Sequence, residues 1–292
     1  MPLPPIEAPD SKRDPRFLGE GASKMVWLIR PDAELNALQI PRMNKVMVNA
    51  FDWQLMNGRK GTEDEILKER MAEQRNEYEF TRMVRDEFPD LIPGVYLITG
   101  RQTFLPEPRF RYAKDRCDPL PKNADLFHHM IRISDEVIKQ GWVYLDMKPG
   151  NIGQFQGRVL LIDTDPSSFY RIPFIADTIE RRRIRHFYRV SCHMTILLFC
   201  FNYVKEISPV VLQEFIRSKG YDEALFRQIY NEPPIQENII ASYNNRIAAE
   251  GGYPVHVEAD EIMKPSIYIR HYGDYKGIHA LTRLQQIIDY KP

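Results

Sequence analysis

The nine residues Val143 to Asn151, VYLDMKPGN, constrain this chain more than any other stretch. Lys148 follows Asp146 by two residues and Asn151 follows Lys148 by three, so a carboxylate, an ammonium and an amide share one short loop. Twelve residues after Asn151 the apolar run Val159 to Ile162 delivers a second carboxylate, Asp163. Asp, Lys, Pro, Gly and Asn also build ordinary surface turns. A turn alone does not require both aspartates at the ends of apolar elements, yet an amphipathic helix leads to one and an apolar strand to the other.

These side chains suit phosphoryl transfer from ATP, which needs a base for the attacking hydroxyl, a cation for the moving phosphoryl group and oxygen ligands for magnesium. The loop resembles the protein-kinase catalytic loop H-R-D-x-K-P-x-N, with Tyr144 and Leu145 in place of the His-Arg pair. Asp163 resembles the first residue of D-F-G. The resemblance implies Asp146 as catalytic base, Lys148 as phosphate neutraliser, and Asn151 and Asp163 as ligands of Mg2+. Thr164 and Asp165 stand where that motif has Phe-Gly, and Asp165 is a further candidate magnesium ligand.

The N-terminal half extends the resemblance. FLGEGASKMVWLI, from Phe17, reads as two short strands around Gly19 and Gly21, where missing side chains let backbone amides approach phosphates. It is similar to the kinase glycine-rich loop, with Val26 in the adenine-covering position and Lys24 in that of the third glycine. The next strand, Leu35 to Pro41, carries Gln39 where kinases have their phosphate-pairing lysine. With-No-Lysine kinases supply that lysine from the glycine loop, at the place Lys24 occupies. Lys24 as a solvated hairpin residue is the alternative, and Arg42 and Lys45 are more distant substitutes.

Thr62 to Glu87 reads as a charged helix opened by a capping threonine and an acidic first turn. Glu77 shares an inward face with Phe80, Thr81 and Val84, which makes it the candidate partner of the phosphate-binding lysine; Glu73 and Glu79 compete, and a solvated glutamate is the plainer reading. Strands Val95 to Thr99 and Phe110 to Ala113 complete five in this half. Lys114 to Leu120 then reads as a linker, and by resemblance as the hinge that holds adenine.

Beyond it, Leu126, Met130, Ile133 and Val137 form one helical stripe ended by Gly141. Val190 to Val204 reads as a buried helix, too short at fifteen residues to span a bilayer of about 30 Å. ERRRIRH, from Glu180, holds Arg181, Arg182, Arg183 and Arg185, either a solvated helix face or a patch for an acidic acceptor. Helical segments follow at Pro209 to Lys219, Asp222 to Tyr230, Gln236 to Ala249 and His279 to Tyr290. Neither an A-P-E motif nor the aspartate that opens the large central helix of protein kinases is visible.

Composition closes off other classes. Forty basic and forty acidic residues leave no global field for nucleic acid or a membrane surface. Three scattered cysteines offer neither a disulfide framework nor a paired metal site, which points to a reducing, cytoplasmic setting. The proline-rich first residues resemble neither a signal nor a transit peptide. The expected organisation is α+β and two-lobed, a protein-kinase-like fold: a flexible lead-in over 1–16, an N-lobe of antiparallel sheet with one helix over 17–116, and a helical C-lobe over 117–292. The expected function is an ATP- and Mg2+-dependent phosphotransferase, foremost a divergent serine/threonine protein kinase. A small-molecule kinase is the first alternative and a pseudokinase scaffold the second, with Gln39 favouring the last. The acceptor is a protein or a small molecule, and an acidic one if the arginines line the site.

Overall fold

The computed structural model describes residues 17–20, 24–28, 36–41, 75, 77–97, 112–164, 169–172, 176–231 and 265–291, the first three of these spans by their backbone. The chain divides into two compact units, Met1–Cys117 with Ile247–Val255, and Asp118–Arg246 with His256–Pro292. The architecture is mixed α+β, with small antiparallel sheets and a helical C-terminal part.

The first unit is built on a five-stranded sheet in the order β1-β2-β3-β5-β4. Its strands are β1 (Phe17–Glu20), β2 (Lys24–Leu28), β3 (Asn36–Pro41), β4 (Val95–Leu97) and β5 (Tyr112–Asp115). Every neighbouring pair is antiparallel. Gly19 lies opposite Val26, Val26 opposite Gln39, and Gln39 opposite Tyr112. Helix α1, described over 77–87, buries Tyr78, Phe80, Thr81, Met83 and Val84. Its apolar side continues into Phe88, Leu91 and Ile92, also buried.

The expected strand at Phe110 to Ala113 is displaced by two residues, and the difference has a physical cause. Lys114 and Asp115 read as a polar break, but both belong to β5, and Lys114 is only 5% exposed. Tertiary partners compensate the charge of each. Asp115 accepts the Gly94 N–H at 2.6 Å and the Tyr96 hydroxyl at 2.9 Å, and its own N–H donates to the Gly94 carbonyl at 2.9 Å. A side chain at Gly94 would place its Cβ 2.6 Å from that same Asp115 oxygen, so only glycine admits this clasp between β4 and β5.

The second unit starts with β6 (Asp118–Pro119) and helix α2 (Ala124–Lys139). Asn123 caps α2 by accepting the Leu126 N–H at 3.1 Å, and Gly141, at φ 87, turns the chain out of it. Strand β7 (Trp142–Tyr144) pairs with β10 (Phe169–Arg171), and β6 pairs with β8 (Ile152–Phe155), which pairs with β9 (Arg158–Leu161). The tight β8–β9 turn is made by Gln156 and Gly157, both at positive φ, a conformation matched to the twist of a two-residue hairpin.

Helix α3 (Thr178–Tyr203) is the longest described element, 26 residues, capped by Asp177 on the Ile179 and Glu180 N–H groups. The apolar stretch expected near Val190 forms its inner half, where residues from Val190 to Leu198 are buried without a break. Around it pack α4 (Pro209–Lys219), α5 (Glu223–Asn231), α6 (Pro265–Gly273) and α7 (Ala280–Ile288). Ser208 caps α4, and Gly220 ends it in the left-handed region. Gln213 donates to the carbonyls of Ile288 and Tyr290 at 2.7 and 2.9 Å, which ties α4 to the end of α7. The helical segment expected at Gln236 to Ala249 lies outside the described residues. No described helix is long and apolar enough to cross a membrane.

A charged cluster joins α2, α3 and α4. His193, fully buried, lies 3.3 Å from the Asp135 carboxylate and 2.9 Å from the Tyr221 hydroxyl. Arg189 approaches Asp135 to 3.0 Å and Lys219 to 3.9 Å. Burial holds the His193 imidazole below its ordinary value, although the Asp135 carboxylate beside it works the other way. The unfolded chain therefore binds this proton more tightly than the folded protein. The stabilising contribution is complete above the ordinary imidazole value of 6.5 and is lost as pH falls below it. Thermal midpoints should drop between about pH 7 and pH 5, and His193→Gln should flatten that part of the profile. An unchanged slope in the variant would remove His193 as its source.

Candidate functional site

The loop after β7 alternates. Leu145 and Met147 are fully buried, whereas Asp146 and Lys148 on either side of Met147 are half-buried, as an extended backbone with period two requires. Alternation therefore aims Asp146 and Lys148 the same way, and Lys148 Nζ lies 2.8 Å from Asp146 Oδ2. Lys148 itself is extended, at φ −141 and ψ 161, and Pro149 opens a one-turn 3-10 helix, Pro149–Asn151. The Asn151 N–H donates to the Lys148 carbonyl at 2.9 Å and brings the Asn151 side chain back toward Asp146.

Asn151 is the knot of the loop. Its Nδ2 donates to Asp146 Oδ2 at 2.9 Å, to the Asp146 carbonyl at 2.8 Å and to the Tyr144 hydroxyl at 2.6 Å. These bonds decide which way the amide is turned and leave its Oδ1, a hard oxygen, on the other side. The Asn151 carbonyl accepts the Ile162 N–H at 2.8 Å, so the residue before Asp163 is tied to the loop. Pairing of Ile152 with Leu161 continues the same contact into β8 and β9.

Two residues to which the sequence assigned no role complete the surroundings of Asp146. Tyr144, in the place of the kinase histidine, is buried against Phe169, with ring centroids 5.5 Å apart, and its hydroxyl takes the Asn151 bond. Its carbonyl accepts from the Cys192 thiol at 3.5 Å, and burial pushes that thiol up to about 12, so it stays protonated. Tyr272 comes from α6, and its hydroxyl donates to Asp146 Oδ1. Burial first, and then the bond to Asp146, raise the Tyr272 phenol far above its ordinary value, so it remains a donor. Its ring packs edge-on against Phe199 at 5.1 Å, and Asn202 donates to its carbonyl at 2.8 Å. Tyr144 was legible as a departure inside a motif. Tyr272 had no local signal.

Asp146 thus has Lys148 and Asn151 on one carboxylate oxygen and Tyr272 on the other. Asp163 is half-buried and close enough to Tyr272 to act on its ionisation. Among the described residues no group of three or more His, Cys, Asp or Glu gathers to hold a metal. A magnesium ion here would have Asn151 Oδ1 and Asp163 as protein ligands and take further oxygens from phosphates, as this ion ordinarily does.

Other candidates have different surroundings. In the first unit Glu77 is largely buried and pairs with Lys114 at 3.5 Å, whereas Glu79 pairs with Arg82 at 3.0 Å. Gly19, Lys24 and Val26 stand in β1 and β2, described there by backbone alone. Gly21, Arg42, Lys45, Glu73 and Asp165 lie outside the described residues. The arginines open α3 and are engaged locally: Arg181 with the Ala176 carbonyl, Arg182 with the Thr178 carbonyl, and Arg183 with Glu180. At about 1.5 Å per residue, Arg183 is roughly 13 Å along the helix axis from Cys192, where α3 meets Tyr144. These are the entry turns of a helix, with Arg182 and Arg183 exposed and Arg181 and Arg185 partly buried.

No family model and no curated protein matches the sequence. Among solved structures the fold is similar to Rv3197 from Mycobacterium tuberculosis, determined as a complex with erythromycin. That similarity has 14% sequence identity and a TM-score of 0.39, covering 93% of this chain and 73% of that one.

The hydrogen bond from Tyr272 is testable by itself. Tyr272→Phe keeps the ring on Phe199 and removes only the donor to a charged, half-buried acceptor. It should cost about 1.5 kcal/mol, read as a lower urea midpoint at unchanged m-value. A midpoint equal to that of the unaltered protein would show that the phenol contributes nothing there.

Proposed function

We propose that this protein transfers a phosphoryl group from ATP to a hydroxyl acceptor, as a divergent member of the kinase-like class. The observation that carries the reading is the shared carboxylate of Asp146, with Lys148 and Asn151 on one oxygen and Asp163 tied in through Ile162. A turn built for its own stability has no need of a half-buried carboxylate and ammonium side by side.

In this reading Asp146 orients the acceptor hydroxyl and takes its proton while the oxygen attacks the γ-phosphorus. The bond from that phosphorus to the bridging oxygen breaks, and ADP leaves. Lys148 follows the developing charge on the transferred group. Asn151 and Asp163 would hold magnesium, which neutralises phosphate charge when bound. Oδ1 of Asp146 is where the acceptor hydroxyl binds, in exchange with Tyr272. Leu145, fully buried, replaces the arginine that would meet an activation-loop phosphate, so activity needs no such phosphorylation.

A protein serine or threonine is the leading acceptor. A small-molecule hydroxyl is favoured by one observation, the absence of an A-P-E segment after Asp163. The two residue ranges 17–116 and 117–292 are proposed as the nucleotide-binding and catalytic lobes.

Asp146→Asn should reduce transfer by about a thousandfold or more while ATP still binds. Asp163→Asn should in addition weaken magnesium-dependent nucleotide binding. Wild-type turnover by Asp146→Asn, across panels of protein and small-molecule acceptors, would sink the assignment. ATP binding without turnover of any acceptor by the unaltered protein would instead point to the pseudokinase reading.

A further inference from the structure

Position 39 lacks a cation, and a different strand offers one. We infer that Lys114 of β5 is the phosphate-binding lysine of this protein, taking over the task that Gln39 of β3 cannot perform. The inference rests on the phosphotransferase reading and adds a residue to it.

Three observations meet at Lys114. The first is its partner: Nζ lies 3.5 Å from Glu77 Oε1, with the two side chains 6% and 16% exposed. Glu77 is the helix residue whose inward face and spacing make it the expected partner of such a lysine. The second is position in the sheet. β5 lies directly beside β3, with Gln39 opposite Tyr112 and Ala37 opposite Lys114. Side chains alternate along a strand, so Lys114 belongs to the same face of β5 as Tyr112, and Gln39 is its diagonal neighbour across the ladder. Diagonal positions are about 7–8 Å apart, a distance that the four-carbon stem of lysine largely covers. The third is energetic. A buried ammonium is expensive unless paired, and a sheet that needed only packing at position 114 would gain from an apolar residue. The ring of Tyr112, 5.7 Å from Nζ, flanks it further.

An ammonium has three donors, so pairing with Glu77 is compatible with binding phosphate oxygens. The lysine has moved one strand over and kept its glutamate. Lys24 need not then be recruited from the glycine loop.

A structural ion pair and a phosphate-binding lysine differ in what they do to nucleotide binding. Calorimetric titration of the full chain with MgATP and, separately, with adenosine distinguishes them. Lys114→Met should lower ATP affinity by at least about tenfold and leave adenosine affinity within about twofold, with Lys114→Arg in between. Lys114→Met strands the Glu77 carboxylate, so the double variant Lys114→Met/Glu77→Met, which removes both charges, repeats the measurement on a chain whose folding is checked by thermal melting. It should show the same selective loss of ATP. The proposal is overturned if either variant keeps the wild-type preference for ATP, or loses both ligands equally, or if Lys24→Met alone removes the preference. A wild-type protein that binds ATP no better than adenosine overturns the phosphotransferase reading and the role of Lys114 together.

Discussion

The second unit depends on the amide of Asn151 more than on any other single group. Its nitrogen joins a carboxylate, a main-chain carbonyl and a phenol, and its main-chain carbonyl holds the strand end that leads to Asp163. The amide nitrogen has two N–H donors, so two of its three acceptors share one hydrogen, and the amide oxygen stays available on the same rigid plane. Aspartate would place a second negative charge on Asp146, and leucine would leave buried acceptors unmet at a cost of about 1–3 kcal/mol each. The shape of the loop and its chemistry therefore have one origin, and neither can be altered without the other.

Around that knot the surroundings are apolar by design of the long helix. The inner half of α3 lends a thiol to the Tyr144 carbonyl and an aromatic edge to Tyr272, while its outer turns carry the arginines. Low surrounding polarity strengthens each bond to Asp146 and makes each unpaired group costlier. The Asp135 cluster lies on the same helix and does separate work, fastening α2 and α4 with charges that burial would otherwise expel.

Much of this was legible because local signals agreed. Ser208-Pro209 opens and Gly220 closes α4 at the expected residues, and Asn123 begins α2 as its capping chemistry predicts. Asp146, Lys148 and Asn151 were readable as one loop by their spacing, whereas the alternation with buried Leu145 and Met147 emerges only in the fold. Reading failed where a charge is neutralised by something distant in sequence. Lys114 and Asp115 read as a break because their compensation comes from Glu77, Gly94 and Tyr96. The arginines of α3 are ambiguous in sequence because charge pattern alone does not separate a solvated turn from a recognition patch. Tyr272 was invisible for the plainest reason, 126 residues separating it from the carboxylate it serves.

That separation bears on the order in which the protein is made. Asp146 emerges together with Lys148 and Asn151, so one oxygen of its carboxylate can be met while the chain is still growing. The other oxygen must wait for the α6 segment, whose Tyr272 follows 126 residues later. A ribosome stalled before residue 265 would hold a loop with its amide knot tied and its phenol missing. Synthesis of α6 is thus written into the surroundings of a single carboxylate, and a product cut short before it is unfinished at its centre as well as at its end.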